Sequence, residues 1–251
     1  MIDMQKSVTK LFLCFLLVPV IIGLVGCNEE EGGTPPTPDL GMTPARLPLA
    51  VVNQSYSSSV RAIAGTAGCS YAWTTSGQLP PGLAYSSPAQ DILAISGTPT
   101  TPGVYTVNIR VDSCSKWVEE TRTISVVNSL DLSGDWSFNV TVTAAGGDCT
   151  SEIGTQSTRT ITITQSATGS PDIFNITMDG FVGVQGNILA GQLTNWHDVN
   201  VSGSYPEEGG TTTSSHSLFV YTANEMGGGE QWSWTGAGNC PGGRATVTAT
   251  R

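Results

Sequence analysis

Between Val104 and Val111 the side chains Tyr105, Val107, Ile109 and Val111 alternate with Val104, Thr106, Asn108 and Arg110. A period of two puts one set on each face of a β-strand, so this strand has a buried face and a wet face. The same alternation returns at Trp136, Phe138, Val140 and Val142, which oppose Ser137, Asn139, Thr141 and Thr143. Across residues 43–128, short β-rich runs at 47–52, 57–63, 70–75, 91–96, 104–111 and 121–127 are divided by turn residues. That density predicts a sandwich of six or seven strands. Across residues 130–251, the run that starts at Trp136 is followed by runs at 160–165, 173–178, 186–190, 199–204, 215–223, 231–235 and 245–250. Eight strands joined by short Gly-rich turns predict an antiparallel up-and-down meander that closes into a barrel-like domain. The expected class is all-β.

The first 42 residues follow another pattern. Lys6 and Lys10 precede an apolar run from Leu11 to Leu24, which ends in Leu24-Val25-Gly26-Cys27. A spanning helix needs about 20 apolar residues, and this stretch is shorter and carries Pro19. The arrangement resembles the lipobox of bacterial lipoproteins, which implies a signal peptide over 1–26 and a diacylglycerol on Cys27. Residues 27–42 mix Glu, Gly and Pro without apolar periodicity and are expected to be an extended, acidic linker. Asn28 behind the cysteine resembles lipoproteins that leave the inner membrane. The implied location is the bacterial cell envelope, at the outer membrane or cell surface, with acyl chains on Cys27 as the membrane contact.

Composition narrows the partners. Charged residues make up 12% of the chain and the formal net charge is -10. Removing Lys6, Lys10 and Asp3 with the leader makes the balance more acidic, so a phosphate backbone is repelled and nucleic-acid binding is not expected.

Leu79-Pro80-Pro81-Gly82-Leu83 and the stretch Ile95-Ser96-Gly97-Thr98-Pro99-Thr100-Thr101-Pro102-Gly103-Val104 carry the turn chemistry of the 43–128 segment. Both motifs resemble the Ig-like repeat of bacterial surface proteins, related to cadherin-like sandwiches. Trp73 then resembles the core tryptophan of such folds. Four of the 6 cysteines, Cys69, Cys114, Cys149 and Cys240, remain after Cys14 and Cys27 are assigned to the leader and the anchor. Four cysteines allow three connectivities, and export favours disulfides over thiols. The division into two units favours Cys69 with Cys114 and Cys149 with Cys240. The resemblance puts Cys69 and Cys114 at one end of the sandwich, and the second pair would pin the first barrel strand to the last. Gly134-Asp135-Trp136 resembles the G-x-W opening of lipocalin-like barrels, with Arg244 or Arg251 as the basic partner of the tryptophan. It implies a small-molecule or lipid carrier as an alternative function.

Chemistry-bearing residues are sparse. The two histidines, His197 and His216, lack metal-ligand spacing and are expected at exposed positions. Met226-Gly227-Gly228-Gly229 lacks the Lys and Ser/Thr of a phosphate loop and is expected to form a hairpin loop. Glu207 and Glu208 beside Gly209 and Gly210 are expected at a loop tip. Cadherin-like sandwiches often take calcium at domain junctions, so Asp112, Glu119, Glu120, Asp131 and Asp135 are the candidate oxygen donors, and calcium-dependent adhesion is a further alternative. No other cofactor is expected. Trp232 and Trp234 share a strand face and, with Trp196 and Tyr205 near turns, are the candidate platform for a carbohydrate or a surface protein. An enzyme using Asp179, Asp198 or Glu225 is disfavoured. The function expected from sequence is binding or adhesion without catalysis.

Overall fold

Among the described residues, turn residues separate sixteen strands, and hydrogen bonding sorts them into two sheets and a barrel. The computed structural model describes residues 39–65, 67–181, 184–207 and 209–251. Cys27 and nearly all of the expected linker lie outside the described residues.

The first eight strands are β1 (Gly41–Thr43), β2 (Ala50–Val51), β3 (Tyr56–Ile63), β4 (Tyr71–Gly77), β5 (Leu83–Ala89), β6 (Ile92–Gly97), β7 (Gly103–Ser113) and β8 (Lys116–Val127). They form two four-stranded sheets ordered β1-β3-β6-β5 and β2-β8-β7-β4. Val60, Leu93 and Ile95 from one sheet and Val107, Ile109, Val111, Ile124 and Val126 from the other share one apolar core. β4 and β7 pair antiparallel, with Tyr71 opposite Ser113, so the cysteines just outside that pair meet. Cys69 and Cys114 are disulfide-bonded with Cα atoms 5.7 Å apart. Trp73 is half-buried against this core, and its Nε1 donates to the Gln90 carbonyl at 2.9 Å.

The remaining strands are β9 (Gly134–Ala145), β10 (Gln156–Ala167), β11 (Ile173–Asp179), β12 (Ile188–Thr194), β13 (Asp198–Glu207), β14 (Gly210–Thr222), β15 (Glu225–Thr235) and β16 (Gly243–Thr250). Each pairs antiparallel with its sequence neighbour, and β16 pairs with β9 to close the barrel. Closure removes both edges of the sheet. Cys149, in a 3-10 turn after β9, and Cys240, before β16, form the second disulfide at this seam. Met226 to Gly229 lie inside β15, and the turn comes earlier, at Ala223 and Asn224. The expected loop is a strand because its glycines allow close strand packing: a Cβ on Gly228 would stand 2.1 Å from the Ser217 carbonyl oxygen.

Residues 38–251 form one compact unit. Leu49 and Val51, on the sandwich side, belong to the barrel's apolar cluster together with Leu130 and Leu132 of the connecting segment. Leu49 N–H donates to the Val220 carbonyl at 2.7 Å. Arg46 pairs with Glu225 and lies over the Tyr221 ring, 4.1 Å from its centroid. The connecting segment is tied to the barrel as well: Gln165 receives the Leu132 N–H and donates to the Leu130 carbonyl. The Arg251 guanidinium stands over Trp136, 4.9 Å from the ring centroid, and donates to the Asp131 and Ser133 carbonyls. One end of the barrel is therefore corked by the sandwich and its connection. Asp39 lies beside Lys116 of the β7–β8 hairpin, at the sandwich end away from the barrel.

Candidate functional site

The barrel interior is divided into two layers by its residue types. Strand alternation turns Trp136 and Phe138 of β9, Ile161 and Ile163 of β10, Leu193 of β12, Leu218 and Val220 of β14 and Val247 of β16 inward, all buried. These fill the layer next to the sandwich. Further along the same strands the inward positions turn polar. Alternation is regular along β14: Thr212, Ser214 and His216 are buried, while Thr211, Thr213, Ser215 and Ser217 are exposed. In the ladder Trp234, Trp232 and Glu230 of β15 stand opposite those three buried residues, and Tyr205 of β13 stands opposite Thr212. Arg159 pairs with Phe138 and shares its inward face. The polar layer thus lies at the end remote from the sandwich.

Its contacts are specific. Ser214 Oγ donates to Glu230 Oε1 at 2.8 Å and stands 3.3 Å from His216 Nε2. Because the serine proton goes to the carboxylate, Nε2 is the imidazole nitrogen that carries hydrogen toward the serine oxygen. Nδ1 is then an acceptor, buried and without a partner among the described residues. Phe181, in the loop after β11, closes over the ring at a centroid distance of 5.2 Å and stacks on Tyr205 at 6.0 Å. Burial disfavours the imidazolium, and Arg159 reinforces this, so the His216 pKa lies below its ordinary value although Glu230 opposes the shift. Burial, with Glu207 and Glu230 nearby, pushes the Tyr205 hydroxyl up to about 12. Thr212 Oγ1 donates to Glu207 Oε2 at 2.6 Å.

Ser214, His216 and Glu230 do not form a nucleophilic relay. In such a relay the carboxylate holds the imidazole from the nitrogen remote from the serine. Here serine and carboxylate both address Nε2 and Nδ1 is unpaired, so the serine proton has no route away through the ring.

Trp232 and Trp234 are half-buried in this mouth. Both rings lie against glycine backbone: a Cβ on Gly243 would stand 2.8 Å from the Trp232 ring, and one on Gly210 or Gly236 2.5 or 2.3 Å from the Trp234 ring. Trp234 Nε1 donates to the Glu207 carbonyl at 3.2 Å. The four aromatic residues expected to share a platform do not all share one. Tyr205 is buried under Phe181. Trp196 sits at the opposite, sandwich-facing end, in a hairpin turn where Asn195 and Trp196 both have positive φ, and packs on Phe174 at 4.9 Å.

Both histidines are buried, contrary to the expected exposure, at 5% and 3% for His197 and His216. The β14 register turns His216 inward. His197 is covered by the docked sandwich, with the Tyr56 ring 5.9 Å away, and burial holds its pKa low against the pull of Asp198. The expected calcium donors are not brought together. Asp112 is held by Arg110, Glu120 by Arg122, Asp131 by the Ser133 N–H and Asp135 by Thr162, while Glu119 points to solvent. Among the described residues no group of three or more His, Cys, Asp or Glu side chains could hold a metal ion. Of the carboxylates weighed for catalysis, Asp179 accepts the Gly186 N–H, Asp198 accepts from Asn195 and Glu225 pairs with Arg46, at three separate places. Glu207 ends β13 and Gly210 opens β14, so that hairpin tip lies where expected. Glu208 is outside the described residues. The sequence reasoning missed Arg159, Ser214, His216 and Glu230. For Ser214 and His216 the available signal was the strict alternation through β14, which carries the inward face of Leu218 and Val220 onto them.

The family model described as "Putative Ig domain" matches residues 38–143, past the sandwich and into β9. No curated protein matches the chain. Among solved structures the chain is similar to the titin M3 domain, at 17% identity over 35% of this chain and 96% of that one, with a TM-score of 0.26. It is similar to an endo-fucoidan hydrolase of glycoside hydrolase family 107 at 16% identity, over 75% of this chain and 30% of that one, with a TM-score of 0.35. It is similar to domains 5-6 of the S-layer protein SbsC at 13% identity, over 84% of this chain and 96% of that one, with a TM-score of 0.27. The chain thus spans less than a third of that hydrolase.

Proposed function

We propose that this chain is a lipid-anchored protein of the bacterial cell envelope that binds neutral carbohydrate without catalysis, through the barrel mouth remote from the sandwich. The observation that carries the reading is the division of the barrel interior: apolar where the sandwich corks it, aromatic and polar at the other end. Burying Thr212, Ser214, His216 and Glu230 costs stability that an all-apolar filling would not. Such a layer is expected where recognition compensates for that cost. Trp232 and Trp234 offer ring faces for sugar stacking, while Glu207, Arg159 and the hydroxyls supply acceptors and donors for ring hydroxyls. An apolar carrier has less support, because the apolar layer is occupied by large side chains such as Trp136 and Phe138.

The anchor reading rests on the Leu24-Val25-Gly26-Cys27 pattern, and the Ig-like match supports a spacer role for the sandwich. Asp39 at one end of the sandwich and the barrel at the other suit outward presentation. The test is retention of the detergent-solubilised full chain on insoluble neutral polysaccharides such as cellulose and chitin, beside the Trp232→Ala/Trp234→Ala variant. Retention lost in a variant with unchanged circular dichroism supports the reading. No retention of the native chain on any neutral polysaccharide overturns it.

A further inference from the structure

A depression of about 540 Å³ crosses the barrel wall at β12 to β16 and β9. Its lining is grouped in consecutive residues: Asn200, Val201 and Ser202; Ser215, His216 and Ser217; Gly229, Glu230 and Gln231. In each group the middle residue faces inward and its neighbours face outward, so the depression lies on the outside of the barrel, behind the polar layer. Gly229 and Ala190 keep it shallow-walled. β9 is bulged against β16: Arg244 pairs with Ala144 and Ala245 with Val142, leaving Thr143 without a partner in that ladder. Bulges of this kind re-aim side chains beside binding sites.

Its chemistry differs from that of the whole chain. The net charge is -10, yet every outward residue of the lining except Arg244 is uncharged. Among the described residues the side chains of Asn200, Ser202, Ser217, Gln231 and Arg244 make no hydrogen bond, so amide, hydroxyl and guanidinium groups stand free along one line. Amides and hydroxyls match the donor and acceptor pattern of sugar hydroxyls. A free guanidinium matches a carboxylate through two parallel hydrogen bonds.

We propose that this trough is a second binding site, independent of the barrel mouth, for a linear glycan that carries carboxylate groups. Arg244 takes the carboxylate, and Asn200, Ser202, Ser217 and Gln231 take the hydroxyls. The volume is that of a binding cleft, and the trough runs across the strands, which suits an extended chain. A carboxyl on every unit would meet repulsion from the acidic body, so binding is expected to be moderate.

The test is native electrophoresis of the detergent-solubilised full chain through gels containing partially methyl-esterified polygalacturonate, with dextran gels as the neutral control. The expected result is retardation by polygalacturonate and not by dextran, weakened about tenfold in Arg244→Gln and equally in Ser217→Trp, whose ring fills the trough. The Trp232→Ala/Trp234→Ala variant is expected to be retarded like the native chain, which separates this site from the mouth. Thermal unfolding of each variant shows that it is folded. The proposal is overturned if the native chain is not retarded, if dextran retards it equally, or if folded Arg244→Gln runs as the native chain does.

Discussion

The sandwich and the barrel are both β-structures pinned by one disulfide, yet they treat polar groups differently. The sandwich joins two sheets over a core of Val, Leu and Ile in which Arg122, paired with Glu120, is the charged residue among the buried ones. The barrel buries Thr212, Ser214, His216 and Glu230 in one layer and apolar side chains in the next. The sandwich core is therefore mainly apolar, while the barrel interior is apolar at one end and polar at the other. Polarity concentrated at the end remote from the sandwich is what the proposed carbohydrate site rests on.

The largest expected effect on that comparison comes from the disulfides. The bridges close loops with sequence separations of 45 and 91 residues. In the chain-entropy model, losing Cys149–Cys240 costs about 4.6 kcal/mol and losing Cys69–Cys114 about 4.0 kcal/mol. Urea unfolding of the Cys→Ser pairs measures both. Equal losses in both pairs would mean that native strain, rather than loop length, sets the balance.

Next come the two layers of the barrel. Leu218→Ala is expected to cost about 2 to 5 kcal/mol, as is Ile109→Ala in the sandwich, because both are fully buried in apolar surroundings. Ser214→Ala is expected to cost about 1 to 3 kcal/mol, through the Glu230 carboxylate left without its donor. If Ser214→Ala were stabilising, the polar layer would be a stored cost in the unliganded protein, and ligand binding would then have to recover it.

The joint between the two regions gives a smaller but qualitative effect. Leu49, Val51, Leu130 and Leu132 pack into the barrel cluster, so the native chain is expected to unfold in a single calorimetric transition. Leu49→Asp buries a charge in that joint and is expected to split the transition in two. Arg46→Ala removes an exposed ion pair with Glu225 and is expected to lower the midpoint by less than about 1 kcal/mol equivalent.

The smallest effect is the response to acid. Burial holds His197 and His216 below the ordinary value of 6.5. Above about that pH neither the folded nor the unfolded chain binds these protons. Below it the unfolded chain takes them and the folded chain does not, so stability falls as pH falls. Carboxylates held low by partners, such as Glu225 beside Arg46, add their loss only nearer pH 4.5 and below. The urea midpoint is expected to be lower at pH 5.5 than at pH 7.5, and His216→Gln should reduce that difference. An unchanged midpoint in the native chain would mean that both imidazoles accept protons in the folded state.

Much of the architecture was legible without coordinates. Alternation at Val104–Val111 and Trp136–Val142 marks strands with one dry face, and the spacing of turn residues separates a sandwich from a meander. The alternation does not reveal β1, whose three residues are too few to show a period, or β5, because Leu83–Ala89 carries Pro and Ser in place of a β-branched run. Met226 to Gly229 were assigned to a loop because glycine weakens a strand in isolation, whereas β14 and β16 on either side hold it in the ladder.

The sequence by itself determined the strand-forming segments, the turn positions and the acidic balance, because these follow from local alternation and from charges that add without reference to geometry. Only the tertiary structure decided which polar residues are buried. Alternation puts Ser214 and His216 on the face of Leu218 and Val220, but only barrel closure, which brings β14 and β15 round a common interior, encloses them with Glu230. His197 looks exposed until Tyr56 of the sandwich covers it. Burial at these positions is created by contacts between segments distant in sequence, and no local pattern encodes such contacts.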